Sequence, residues 1–377
     1  MVDYLVITCG GTGGHFYPGL SIAREQIRRG KKVLLLLSGK NSVEQSAVAE
    51  KYNIPCAVLP QMPSPSVKRP LTAWKFLKGY VTGVRQAKTI LKNEKPNAVL
   101  GMGSFASLPV IRAAKKLHLP IFLHDGNARI GKANRFLSRW AKVLATAFPA
   151  VNSDKVRCKC VVSGMPVRPE LKQENLSKLE AIRTLNEKFD CLLEAGYFTV
   201  LLFGGSQGAR KLNEVFGKAM NRLAEKYNNV QLIHLSGSGE FGSMNAFHAE
   251  SKYPVLLLAS LSEMHLAYSA ADLIVSRSGG SSVAEINAFG KYAVVIPYPF
   301  AAELHQDDNA NYLKSLGAAE IIKNDALTED IAFAALEKLY NNAGLGEIGK
   351  NASRPDAWDG SENMLKLIDD TLGDAGC

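Results

Sequence analysis

Residues 4–15 read Tyr4-Leu5-Val6-Ile7-Thr8-Cys9-Gly10-Gly11-Thr12-Gly13-Gly14-His15, an apolar and β-branched run that passes straight into glycine. Leu20, Ala23 and Ile27 then recur at helical spacing. Residues 198–208 repeat that anatomy. Phe198 to Phe203 leads into Gly204-Gly205-Ser206-Gln207-Gly208, and Leu212, Val215, Phe216, Ala219 and Leu223 mark the following helix. Glycine suits both turns because the backbone takes positive φ there, approaches a ligand closely, and presents unpaired amides and a helix amino terminus to anionic oxygen. Diphosphate is the natural guest. For either loop taken singly, a tight strand-to-helix turn that holds nothing is the plain alternative.

Outward from the first turn, short apolar runs alternate with helix-period segments: Val33 to Leu37, Ala98 to Leu100, Ile121 to Leu123, Val143 to Ala145 and Cys160 to Val162. Outward from the second come Gln231 to Leu235, Val255 to Leu258, Leu273 to Ser276, Ala293 to Ile296 and Ala319 to Ile322. The alternation predicts repeated βα units on parallel sheets, giving an α/β protein of two Rossmann-like, doubly wound domains with a substrate cleft between them. A length of 377 residues agrees with two domains of roughly 150 residues or more each. The boundary is expected near Ser163-Gly164-Met165-Pro166-Val167-Arg168-Pro169, which divides the chain into 1–164 and 165–354. Leu171, Leu179, Ile182 and Leu185 predict a helix beyond it. The tail 355–377, with Met364, Leu365, Leu367 and Ile368, is expected to close as a helix packed back on the first domain.

Charge changes sign at the same boundary. Residues 1–164 carry 26 Lys and Arg against 7 Asp and Glu, and residues 165–377 carry 19 against 28. The amino-terminal half therefore suits an anionic partner, such as lipid headgroups, phosphates or nucleic acid. Nucleic acid is disfavoured because no recognition motif accompanies the charge. Between Glu50 and Glu94 there is no acid, while Lys68, Arg69, Lys75, Lys78, Arg85, Lys88 and Lys92 surround Leu71, Trp74, Phe76, Leu77 and Tyr80. That mixture suits a membrane interface rich in anionic lipid, with Arg135-Phe136-Leu137-Ser138-Arg139-Trp140 as a second contribution. A solvated face over ordinary core aromatics is the alternative.

Six scattered cysteines without a CxxC pair read as reduced thiols, and neither a metal nor another cofactor is expected. No apolar run reaches the ~18 residues that span a bilayer, and the first strand follows Met1 without a signal-peptide pattern. The expected location is cytosolic, at most resting on a membrane.

Absences narrow the phosphate chemistry. Neither loop has GxxxxGK[ST], which disfavours an ATPase or GTPase. Phe16 stands where GxGxxG would place its third glycine, and the second strand ends Leu37-Ser38-Gly39 without a ribose-binding acid, which disfavours a dinucleotide oxidoreductase. A third small-residue turn, Arg277-Ser278-Gly279-Gly280-Ser281-Ser282-Val283-Ala284-Glu285, again opens a helix after a strand. Its amides suit further phosphate oxygens, and Glu285, one turn in, suits either a ribose diol or the helix dipole alone. Glu303-Leu304-His305-Gln306-Asp307-Asp308-Asn309-Ala310-Asn311 supplies groups fit for sugar hydroxyls.

Six segments together carry a resemblance: 10–20 (GGTGGHFYPGL), 101–107 (GMGSFAS), 164–168 (GMPVR), 203–214 (FGGSQGARKLNE), 276–286 (SRSGGSSVAEI) and 305–310 (HQDDNA). In order and spacing the chain resembles the MurG family of bacterial glycosyltransferases. The resemblance implies the GT-B architecture, with donor UDP-GlcNAc on the carboxy-terminal domain. The acceptor it implies is lipid I, undecaprenyl-pyrophosphoryl-MurNAc-pentapeptide, on the amino-terminal domain. It further implies a peripheral position on the cytoplasmic face of the plasma membrane and other cell-wall synthesis proteins as candidate partners. Carried over by motif, Ser206 contacts the donor diphosphate with Gly280, Ser281 and Ser282. Glu285 then takes the ribose, backbone near Leu261 the uracil, and His305, Gln306 and Asn309 the GlcNAc. Arg168 is expected on the donor side, and Thr12, Gly13, Gly14 and Asn127 on the acceptor side. Two departures stand out: Phe105 replaces a frequent Tyr, and Asp125-Gly126-Asn127 replaces Glu-Gln-Asn.

The implied reaction, transfer to the 4-hydroxyl of the muramoyl sugar with inversion, needs stabilisation of departing UDP and removal of a proton. Loop amides and helix dipoles suit the first. For the second, His15 is the first candidate base and Asp125 the next, while a histidine that fixes its loop or binds acceptor phosphate is the alternative. A UDP-GlcNAc 2-epimerase and a nucleotide-sugar sensor are the rival readings. Neither needs the aromatic and basic face, and a sensor needs no His15.

Overall fold

The structure is a computed structural model that describes residues 2–62, 70–173, 176–205, 209–354 and 356–373, with backbone alone at 70–73, 75, 173 and 302. It forms two compact units, one of residues 1–168 with 358–377 and one of 169–357.

The first unit is built on a parallel sheet of β1 (Tyr4–Gly10), β2 (Lys32–Ser38), β3 (Cys56–Val58), β4 (Ala98–Gly101), β5 (Ile121–Asp125), β6 (Val143–Thr146) and β7 (Lys159–Val162), in the order β3-β2-β1-β4-β5-β6-β7. Successive side chains of a strand leave opposite faces, so the apolar runs feed two layers. Leu5, Ile7 and Cys9 of β1 join Leu35, Leu37, Leu100 and Phe122 on one face, under Phe16, Leu20, Ile22 and Ala23 of helix Gly13–Arg28. Val6 joins Leu34, Leu36, Val99 and Leu123 on the other, under Val84, Ala87 and Leu91 of helix Pro70–Glu94. Helix Gly360–Gly373 adds Met364, Leu365 and Ile368 to the first layer, beside the helix that follows β1.

In that leading helix Ile27 is exposed, contrary to its place in the sequence pattern. Gln26 occupies the inward position instead, because its Nε2 donates to the Val2 carbonyl at 3.0 Å. Leu179 is likewise exposed, while Leu171, Ile182 and Leu185 are buried.

The second unit carries β8 (Phe198–Phe203), β9 (Val230–Leu235), β10 (Val255–Leu258), β11 (Leu273–Ser276), β12 (Tyr292–Val295) and β13 (Ala319–Ile321), all parallel, in the order β10-β9-β8-β11-β12-β13. Its core sets Val200, Leu202, Leu232, Val275 and Val294 against Leu212, Phe216, Ala219 and Leu223 of helix Arg210–Lys226. Strand order reverses direction at β1/β4 in one sheet and at β8/β11 in the other. At such a point the loops leaving the carboxyl ends of neighbouring strands part to opposite faces, and ligands of open α/β sheets bind there. The three small-residue turns leave β1, β8 and β11, which are strands of these switch points.

Candidate active site

In the first unit, loops after β1, β4 and β5 converge. Gly10 takes φ +132°, and a Cβ there would stand 2.3 Å from the Ser38 carbonyl oxygen, so only glycine fits beside β2. Thr12 occupies the cap of helix Gly13–Arg28, yet its hydroxyl makes no capping bond. That hydroxyl instead meets His15 Nδ1 at 2.9 Å, and His15 is half-buried in the helix's first turn with Gly13 and Gly14 beside it. From β4 comes Gly103, at φ +85°, where a Cβ would stand 3.3 Å from His15 Cδ2 and 3.2 Å from Asn134 Nδ2. The glycine lets this loop close on the imidazole. Ser104 follows at φ 61°, ψ 164°, a region costly for any side chain, and its Oγ accepts from the Ala106 amide. Ser107 Oγ donates to the Gly103 carbonyl at 2.7 Å and ties the strained loop down. Phe105 projects from it, exposed.

Asp125, at the end of β5, is buried and wholly engaged. Its Oδ1 accepts from the Asn127 amide at 3.2 Å and from Asn127 Nδ2 at 3.4 Å. Its Oδ2 accepts from the Gly131 amide at 2.9 Å and from Asn134 Nδ2 at 3.0 Å. A carboxylate has about four acceptor positions, and these bonds fill them. The second candidate base thus ties down the loop that carries Asn127. His124 is also buried, and its Nε2 donates to the Gly164 carbonyl at 3.1 Å. Burial lowers its pKa, outweighing the Gly164 carbonyl and the nearby Asp125, which raise it. Arg168 belongs to the same unit: its guanidinium stands 5.7 Å from the Tyr17 ring centroid, one helical turn along from Gly13.

In the second unit, Gly205 takes φ +88° after β8, and Ser206 lies outside the described residues. Gly279 caps helix Gly280–Ala288 in extended conformation, and no side chain caps it. Gly280, Ser281 and Ser282 are half-buried in its first turn. Leu261 is buried ahead of helix Met264–Ala270, whose Tyr268 hydroxyl donates to Glu285 Oε2 at 2.9 Å.

Gln306 is pinned twice, its backbone carbonyl by Ser278 Oγ at 2.8 Å and its side-chain Oε1 by the Tyr298 amide at 2.9 Å. The Tyr298 amide can only donate, which fixes the carboxamide oxygen inward and gives Nε2 the outward role. Asn309 departs from its expected position. It is wholly buried, and its Nδ2 donates to the Ser278 carbonyl at 3.0 Å, so it braces the loop after β11 and presents no atom to a sugar in this conformation. His305 is half-buried beside Gln306. Arg277, also buried, donates through Nη1 to the Ile296 and Pro297 carbonyls and holds the loop after β12 against the one after β11. Tyr268, Tyr298 and Asn134 lie in none of the six segments, and Gly103 lies in one, 101–107, without a role assigned to it there. Each meets its partner on another loop or element, Tyr268 at Glu285, Tyr298 at Gln306, Asn134 at Asp125 and Gly103 at His15.

Two parallel-sheet units, each with small-residue turns at its switch point, are the GT-B architecture, and the family models below make the class a glycosyltransferase. The glycosyltransferase family 28 N-terminal domain matches residues 5–146 and the family's C-terminal domain matches 199–358. A protein of Desulforamulus reducens named UDP-N-acetylglucosamine–N-acetylmuramyl-(pentapeptide) pyrophosphoryl-undecaprenol N-acetylglucosamine transferase is 33% identical over 383 residues, covering 97% of this chain and 98% of its own. One from Halothermothrix orenii with the same name is 32% identical over 97% and 98%. The solved MurG of Acinetobacter baumannii is 26% identical with a TM-score of 0.74 over 98% and 99% of the two chains. The UDP-GlcNAc 2-epimerase of Neisseria meningitidis, at 12% identity and TM-score 0.69, shares the fold. This chain belongs to glycosyltransferase family 28, and within it to the MurG enzymes; it is a hexosyltransferase.

Proposed function

We propose that the enzyme moves N-acetylglucosamine from UDP-GlcNAc to the 4-hydroxyl of the muramoyl sugar in undecaprenyl-pyrophosphoryl-MurNAc-pentapeptide, with inversion at the anomeric carbon. The observation that carries this reading is the full-length likeness to relatives named for that reaction. The acceptor belongs to the first unit. There the amides around Gly11 to Gly14 face its pyrophosphate, and His15 takes the hydroxyl proton, its Nδ1 side occupied by Thr12. Donor UDP-GlcNAc belongs to the second unit, with its diphosphate at the turns of Ser206 and Gly280 to Ser282. The uncapped amides and the dipole of helix Gly280–Ala288 stabilise the charge that grows on departing UDP. Glu285 takes the ribose hydroxyls, and Gln306 Nε2 donates to the sugar. Asn309 acts through Ser278, as a positioning residue.

Incubating the protein with UDP-GlcNAc, with and without a lipid I analogue, tests the reading. Release of UDP that depends on acceptor and yields a disaccharide is expected. Isomerisation of the donor alone would make it an epimerase, and binding without turnover a sensor.

The lipid acceptor also calls for contact with a membrane, on its cytoplasmic face where the donor is available. No helix among the described residues is long and apolar enough to cross one. Helix Pro70–Glu94 exposes Trp74, Leu77 and Val81 at helical spacing, with Lys78 5.5 Å from the Trp74 ring centroid and Arg85 exposed. Phe136 is exposed beneath the Arg139 guanidinium. Phe76 and Tyr80 are half-buried and stacked on each other, which makes them part of the helix's packing. Lys68 and Arg69 lie outside the described residues. Paired Lys78→Glu and Arg85→Glu substitutions are expected to weaken flotation with anionic vesicles by at least about 30-fold, at about 1 kcal/mol per basic residue lost. Equal flotation of wild type with anionic and zwitterionic vesicles would remove the electrostatic part.

A further inference from the structure

Tyr268 is wholly buried, the largest such side chain among the described residues, and the polar atom of its side chain is the hydroxyl at its tip. A buried phenol needs an acceptor, and here it is the Glu285 carboxylate, 2.9 Å away on a helix seventeen residues further along the chain. Two aromatic rings pack against this one. Phe289 stacks on it at 4.9 Å and 22°, and Phe203 meets it edge-on at 6.2 Å and 85°. Phe289 lies one turn after Glu285 on helix Gly280–Ala288 or at its cap, and Phe203 is the last residue of β8, immediately before the Gly204-Gly205 turn. The hydroxyl is thereby flanked by aromatic neighbours from the strand that leads into the Gly204-Gly205 turn and from the carboxyl end of the helix that carries Glu285.

We infer that Tyr268 is a positioning residue for Glu285, whose carboxylate plane it fixes from the protein side so that both ribose hydroxyls of a uridine nucleotide are met in one orientation. The inference rests on the assignment of Glu285 to the ribose. A carboxylate on a free Glu side chain samples several rotamers, and ordering it costs affinity when ligand binds. One charge-assisted bond from a rigid, buried donor removes most of that disorder beforehand. A vicinal diol is the ligand group that gains most, because its two hydroxyls need two acceptor positions of fixed spacing. The consequence is selectivity for ribonucleotides over deoxyribonucleotides that depends on a residue no ligand touches.

The test is calorimetric binding of UDP and of 2′-deoxy-UDP to wild type, Tyr268→Phe, Glu285→Ala and the double variant, with thermal unfolding of each. Tyr268→Phe keeps the stacked ring and is expected to weaken UDP about 5- to 20-fold, the range for part of a bond to a charged group, while changing 2′-deoxy-UDP affinity by less than about two-fold. In the Glu285→Ala background the same substitution should do nothing further, since its only route to the ligand is gone. In turnover it should raise KM for the donor and spare kcat. Equal weakening of both nucleotides, or a loss that adds to that of Glu285→Ala, would overturn the inference and make Tyr268 a packing residue. A Glu285→Ala variant that binds UDP as wild type does would instead overturn the ribose assignment itself.

Discussion

His15→Ala is expected to lower turnover by about 10²- to 10⁴-fold, the usual contribution of a positioned general base, while UDP-GlcNAc affinity stays within about two-fold of wild type. Two features of its surroundings set the expectation. The Thr12 hydroxyl lies at Nδ1 and can accept from Nδ1–H, and in that tautomer Nε2 is the proton acceptor. Gly103 brings the loop after β4 against the ring without a side chain between them, so the imidazole is held by contact as well as by its hydrogen bond. The rival role, a cation for acceptor phosphate, makes a different prediction. His15→Lys would then retain much of the rate and His15→Ala would act mainly on KM for the lipid acceptor. Steady-state kinetics with both substrates varied separates the two, and near-normal kcat in His15→Ala would remove the residue as base.

How much of this was legible in sequence follows from where the physical cause of each feature lies. The strands after which glycine turns occur could be read because burial on both faces makes each a continuous apolar run, as Leu5 to Cys9 and Phe198 to Phe203 are. β3 could not: it is three residues long at the sheet's edge, and Cys56-Ala57-Val58 has no period to detect. Helix Pro70–Glu94 was visible as a basic and aromatic patch, yet its division into a buried stripe at Val84, Ala87 and Leu91 and an exposed one at Trp74, Leu77 and Val81 depends on which sheet face it covers. In the site, His15 lies in the first turn of the helix after β1 and Gln306 in the first turn of helix His305–Ser315. The bonds of Asn309 and Asp125 could not be read from their motifs, because their partners, the Ser278 carbonyl and the donors of Asn127, Gly131 and Asn134, are fixed only once separate loops have folded together. Tyr268 was silent for the same reason. A buried tyrosine in an apolar helix reads as core until the acceptor of its hydroxyl is known.

Asp125→Asn therefore carries the sharpest contrast between a base and a brace. Asparagine offers one acceptor oxygen where the carboxylate offers two, so one of the two donor pairs, that of Asn127 or that of Gly131 and Asn134, must face an amide that is itself a donor. Asn134 is buried while Asn127 and Gly131 are half-buried, and the loss is expected at about 1 to 3 kcal/mol, the cost of one unsatisfied buried donor. Tryptophan fluorescence can follow it selectively, because Trp74, Trp140 and Trp358 all lie in the first unit. The expected result is a lower urea midpoint by fluorescence, with turnover of the folded protein in the cold reduced no more than about ten-fold, short of what losing a general base costs. A midpoint equal to wild type together with a rate loss of about 10³-fold would reverse the assignment, returning Asp125 to the chemistry and leaving His15 to hold the acceptor.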